Sequence, residues 1–144
     1  MFRAALCSRC QRAGQTGGVI GPDLTSVVAR FGRRDILWSI LEPSRVVDEK
    51  YRSEQIVTVD GRVIVGRIVA DGNYRSTKLR VLTDPLRPGQ TVEIDKNDIA
   101  AHQFLLQSPM SSGLLDSFTP SEIGDLLTFL EQTGSEDQLP ASLL

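Results

Sequence analysis

Apolar residues change their spacing twice along this chain, helical near both ends and alternating in the middle. Phe2, Ala5, Leu6 and Arg9 fall at helical intervals, so residues 2–12 read as one short helix. Gly14, Gly17, Gly18 and Gly21-Pro22 then break regular structure, and residues 15–23 read as a surface loop packed closely against another part of the molecule. Leu24, Val27, Val28 and Phe31 lie at i, i+3, i+4 and i+7, which predicts a short second helix stopped by Gly32. Ile36, Leu37, Ile40 and Leu41 share a face of a third helix over residues 33–41, with Trp38 beside them as a core residue. Pro43 ends it, because the residue before a proline avoids the helical region. Ser44 is placed to cap a turn or short helix through Asp48-Glu49.

The middle of the chain has period two. Residues 55–59 alternate and meet Asp60-Gly61, a hairpin signal. Residues 62–70 form a second strand, Asp71-Gly72-Asn73 a second turn, and residues 77–83 a third strand. Pro85, Pro88 and Gly89 make a longer loop before a fourth strand at 90–94, and Lys96-Asn97-Asp98 turns into Ile99. Short antiparallel strands at this spacing predict a meander or a small SH3-like barrel.

Residues 102–106 fit either strand or helix, and Ser108 to Gly113 is a loop carrying Met110. Thr119-Pro120-Ser121-Glu122 is a helix start, with threonine as cap, proline at the first helical position and glutamate closing a capping box. Ile123, Leu126, Leu127 and Leu130 follow on one face, Phe129 beside them, and Gly134 stops the helix. The pattern predicts an α+β chain: residues 1–53 and 101–133 as two halves of a helical domain, 54–100 as an inserted β lobe, and 134–144 as a tail.

Sixteen Lys+Arg against eighteen Asp+Glu exclude a strongly basic nucleic-acid binder as the default class. Few aromatics interrupt the β lobe, so a base-stacking platform is not expected either. No apolar run reaches the roughly 18–20 residues of a membrane span. Arg30, Arg33 and Arg34 form a small basic cluster that reads as a solvated face or as a holder of anionic groups.

The candidate chemistry lies in Cys7-Ser8-Arg9-Cys10. Such a C-x-x-C serves as a redox dithiol, as half of a metal site, or as a covalent haem attachment. Zinc lacks a second pair of soft donors, since His102 is the single histidine. A thioredoxin-type start needs a strand before the motif, and six residues leave no room for one. The haem motif continues with histidine, where this chain has Gln11.

The wider pattern is Met1-Phe2 to Cys10, Gly21-Pro22-Asp23-Leu24-Thr25, Arg34-Asp35-Ile36-Leu37 through Ile40-Leu41-Glu42-Pro43-Ser44, and Tyr51. It continues with Asp60-Gly61 to Gly66, Ser108-Pro109-Met110 with Gly113-Leu114, and Glu122 to Leu130. Over about residues 1–132 the chain resembles the haem-binding, cytochrome-c-like C-terminal domain of Planctomycete/Verrucomicrobia type, found in large exported bacterial proteins. It departs from that family at Gln11, where the family has the proximal histidine, and at Ser111, where it has proline.

The resemblance implies a cytochrome-c-like helical domain with an inserted small antiparallel β lobe. It implies one haem c on Cys7 and Cys10, a loop at Pro22 bordering the proximal side, Gln11 in the place of the proximal ligand, and Met110 as the other iron ligand. It further implies an electron carrier rather than an enzyme. Its partner would be a redox protein or fused dehydrogenase-like domains, in an exported or periplasmic setting. Met1 would then be an internal start and the chain a fragment. The alternatives are a haem-free interaction module that works through the β lobe, and a thiol–disulfide domain using Cys7 and Cys10.

Overall fold

The computed structural model describes residues 1–69 and 75–134. The described residues divide into two compact units, one formed by 1–45 and 111–134, the other by 46–69 and 75–110.

The continuous unit is a five-stranded antiparallel sheet of β3 (Glu54–Thr58), β4 (Val63–Val69), β5 (Lys78–Leu82), β6 (Thr91–Asp95) and β7 (Ile99–Phe104), in the order β6-β5-β4-β3-β7. Four strands run as a meander. A 3-10 turn at Lys96–Asp98, its N-terminus capped by the Asp95 carboxylate, then sends β7 back to pair with β3. The first hairpin closes through Gly61 N–H to the Thr58 carbonyl and Thr58 N–H to the Arg62 carbonyl, both 2.9 Å. Ile56, Val81 and Ile94 form the core, with Ile64, Ile68, Leu79, Val92 and Ile99 packed around them. These are the β-branched and aliphatic residues that alternation turns to one face. The predicted turn at Asp71-Gly72-Asn73 lies outside the described residues, as does the tail from residue 135.

The discontinuous unit holds two α-helices among the described residues, α1 (Arg33–Leu41) and α2 (Pro120–Gln132). The Thr119 hydroxyl accepts from Glu122 N–H, and the Glu122 carboxylate accepts from Thr119 N–H at 2.8 Å, so the capping box closes. Leu126, Leu127 and Leu130 are buried, and the Phe2 and Phe129 rings pack with centroids 5.4 Å apart. Arg33 of α1 reaches α2, donating to the Gly124 carbonyl and pairing with Glu131 at 2.7 Å.

The cytochrome-c-like helical fold expected from sequence is not what forms. Among the described residues the structure is mostly sheet, a small β-rich architecture with two α-helices, and the antiparallel sheet is its principal element. The expected helix at 2–12 is replaced by turns, a 3-10 turn at Cys7–Arg9 and a two-residue strand, β1 (Arg12–Ala13), paired with β2 (Thr16–Gly17). Leu6 sits in the left-handed region at φ 60°, which interrupts any α-helical ladder. The glycine loop takes the Ser8 carbonyl, which in a helix would accept from Arg12, through Gly18 N–H, and it also bonds the carbonyls of Cys10, through Ile20 and Gly21, and of Arg12, through Leu24. The expected helix at 24–31 shortens to a 3-10 turn at Val27–Ala29. Trp38, expected in the core, is 38% exposed and stacks under the Arg45 guanidinium.

Candidate functional site

Cys7 and Cys10 open and close one 3-10 turn. Cys10 N–H donates to the Cys7 carbonyl at 3.2 Å, and Gln11 N–H reaches the same carbonyl at 2.9 Å. Residues three apart in such a turn lie within about 7 Å at their Cα atoms, so both thiols leave from one small patch. The two thiols differ in exposure: Cys7 is buried and Cys10 half-buried. The Cys7 thiol contacts the Ala5 carbonyl at 3.6 Å. Burial pushes its pKa up, opposed by a hydrogen bond from its own backbone N–H and by the chain's N-terminal charge, and the nearby Cys10 thiol adds to the rise.

The loop after the turn clasps it. Gly17 has φ +118°, and a Cβ there would stand 2.0 Å from the Gln11 carbonyl oxygen. A Cβ at Gly18 would lie 2.6 Å from the Arg9 carbonyl oxygen, and one at Gly21 2.9 Å from the Gln11 side chain. The backbone of the loop therefore touches the backbone of the cysteine turn, as the glycine spacing suggested. Pro22 follows half-buried, and Asp23 bridges to Arg12 in a short parallel contact. Thus Cys7, Cys10, Gln11 and Pro22 come together in one unit.

Met110 belongs to the other unit, at its boundary, half-buried, with its N–H donating to the Ser108 hydroxyl at 3.1 Å. His102 lies on β7, hydrogen-bonded to the Glu54 carboxylate and 5.7 Å from the Phe104 ring. Arg30, Arg33 and Arg34 do not converge: Arg33 is committed to α2 and Arg30 lies over the Phe31 ring. Among the described residues no three His, Cys, Asp or Glu side chains gather as a metal site.

A polar cleft of about 410 Å³ beside the turn escaped the reading of the sequence. Arg12, Asp23, Thr25 and Arg30 line it. The Thr25 hydroxyl donates to the Asp23 carboxylate at 2.5 Å and accepts from Gly14 N–H at 2.9 Å. The Thr25 hydroxyl and, after it, the Thr25 N–H at 2.9 Å hold the Asp23 carboxyl below the usual carboxylate range. The cleft's two arginines are separated in sequence and carry no motif, which is why pattern alone does not find it.

Among known proteins, no family model matches the chain and no curated protein matches its sequence. No helix of the described residues is long and apolar enough to cross a membrane.

Proposed function

We propose that the chain is an electron-transfer domain carrying one haem c, attached by thioether bonds to Cys7 and Cys10. The observation that carries this reading is the single 3-10 turn that brackets both cysteines, clasped by the Gly17–Pro22 loop. Covalent attachment needs two cysteines held at fixed separation on a rigid segment, and the donor set supplies that. When bound, the haem would supply one-electron iron chemistry. Cys7 and Cys10 would tether it, the glycine loop would keep the tether rigid, and Pro22 would flank it. Gln11 presents a carboxamide where an imidazole would be the stronger iron ligand, so a bound iron would need a further donor. The domain would exchange electrons with a redox partner or with oxidoreductase domains in an exported parent protein.

The test is expression of the full chain in an exporting host with c-type haem maturation, read by visible spectrum and by haem that survives denaturing electrophoresis. Covalent haem lost in Cys7→Ala and Cys10→Ala supports the reading. A colourless product from both the parent and Gln11→His overturns it.

A further inference from the structure

The two edges of the five-stranded sheet differ in chemistry. β6 carries Glu93 and Asp95, and Glu93 pairs with Lys78 at 3.2 Å, the charged dressing that keeps an edge from recruiting another strand. β7 reads Ile-Ala-Ala-His-Gln-Phe, with no lysine, arginine, carboxylate or proline, and it is exposed from Ala100 onward. Phe104 is 62% exposed and Leu106, just beyond the strand, 81%.

The ladder fixes which way the β7 backbone points. Leu105 N–H donates to the Ser53 carbonyl at 2.9 Å, and Gln103 and Ala101 lie opposite Gln55 and Val57. In an antiparallel pair the bonded residues alternate, so the N–H and C=O of His102 and Phe104 face away from β3. Among the described residues no strand pairs on that side. The register shift opposite Val57/Thr58 leaves Ala100 as the extra residue and bounds the regular edge at Ala101.

We propose that this edge docks a second copy of the chain, β7 against β7, antiparallel about a two-fold axis through Gln103. The edge is complementary to itself in that register. His102 stands opposite Phe104 of the partner subunit, and since these rings already lie 5.7 Å apart within one chain, four rings gather on one side. On the other side the two Gln103 amides face each other, and small Ala101 meets the bulkier Leu105 of the partner subunit. No unpaired charge enters the seam, because each Glu54 carboxylate is held by its own His102. About four new main-chain hydrogen bonds form. The contact is small beside the roughly 1,600 Å² of a standard stable interface, so the dimer is a concentration-dependent equilibrium.

Sedimentation velocity on the full chain over a wide concentration range tests this without haem, and so independently of the electron-transfer reading. Wild type should show reversible monomer–dimer exchange. Gln103→Lys and Gln103→Glu each place like charges directly opposite at the axis and should weaken association roughly fivefold or more. Mixing the two variants should restore it as a heterodimer. A strictly monomeric wild type, association untouched by Gln103→Lys, or a mixture that stays monomeric would each overturn the proposal.

Discussion

Phe2 and Phe129 stand ring against ring, centroids 5.4 Å apart and planes tilted by 35°, so the first turn of the chain is packed on α2. Phe2 is 4% exposed, which makes it a core residue of the discontinuous unit although it is the second residue of the chain. Phe2→Ala should cost about 3 kcal/mol by removing most of a buried ring, while Phe2→Leu should cost much less. Urea unfolding followed by the far-ultraviolet signal of the helices checks this, and equal losses for the two variants would contradict it.

Gly17→Ala should damage the cysteine turn. Alanine there meets both an unfavourable φ and a carbonyl oxygen 2.0 Å from its Cβ, so a cost of ~2 kcal/mol is expected. Gly89→Ala, where a Cβ meets nothing within 4 Å, should be close to neutral. Thermal unfolding of both variants decides it, and a Gly17→Ala protein as stable as wild type would show that the clasp is not tight.

The two thiols should alkylate at different rates. Half-buried Cys10 should react first with iodoacetamide at neutral pH, and buried Cys7 far more slowly. Because the folded state raises the Cys7 pKa, the unfolded thiol ionises first as pH climbs. Stability is therefore kept below the ordinary thiol range and lost as pH rises through it toward the folded value. Peptide mapping of partly labelled protein reads the order, and simultaneous labelling of both cysteines would refute it.

Acid should loosen the start of α2. Thr119 N–H and, after it, the Thr119 hydroxyl hold the Glu122 carboxyl below its usual range, so its contribution is present above that range and disappears as pH falls through the lowered value. Thr119→Ala should cost about 1 kcal/mol at neutral pH and flatten this part of the acid transition. An unchanged acid limb in the variant would assign the transition to other carboxylates, such as Asp60, whose pKa is lowered by the Thr58 hydroxyl and, after it, by Arg62.

The elements legible in the residues are those whose causes are local. Alternating Val and Ile on either side of Asp60-Gly61 specify β3 and β4 because side-chain direction reverses at each strand residue and a tight turn joins them. Thr119-Pro120-Ser121-Glu122 specifies the start of α2 because both partners of the cap lie within one turn. The nearness of Cys7, Cys10 and Gln11 likewise follows from adjacency in the chain.

What the residues alone did not determine depended on distant competition for the same backbone groups. Residues 2–12 have helical spacing, yet Leu6 is left-handed and Gly18 takes the Ser8 carbonyl, while Ile20, Gly21 and Leu24 bond the carbonyls of Cys10 and Arg12 that follow. Periodicity records which side chains seek burial, and it is blind to a loop ten residues away that satisfies the backbone instead. The polar cleft of Arg12, Asp23, Thr25 and Arg30 has the same origin, since it exists only once the glycine loop has turned these side chains toward one another. The uncharged character of β7 could be read from Ile99 to Phe104, but its place at the edge of the sheet, and hence its unpaired backbone, was decided only when β7 returned to pair with β3.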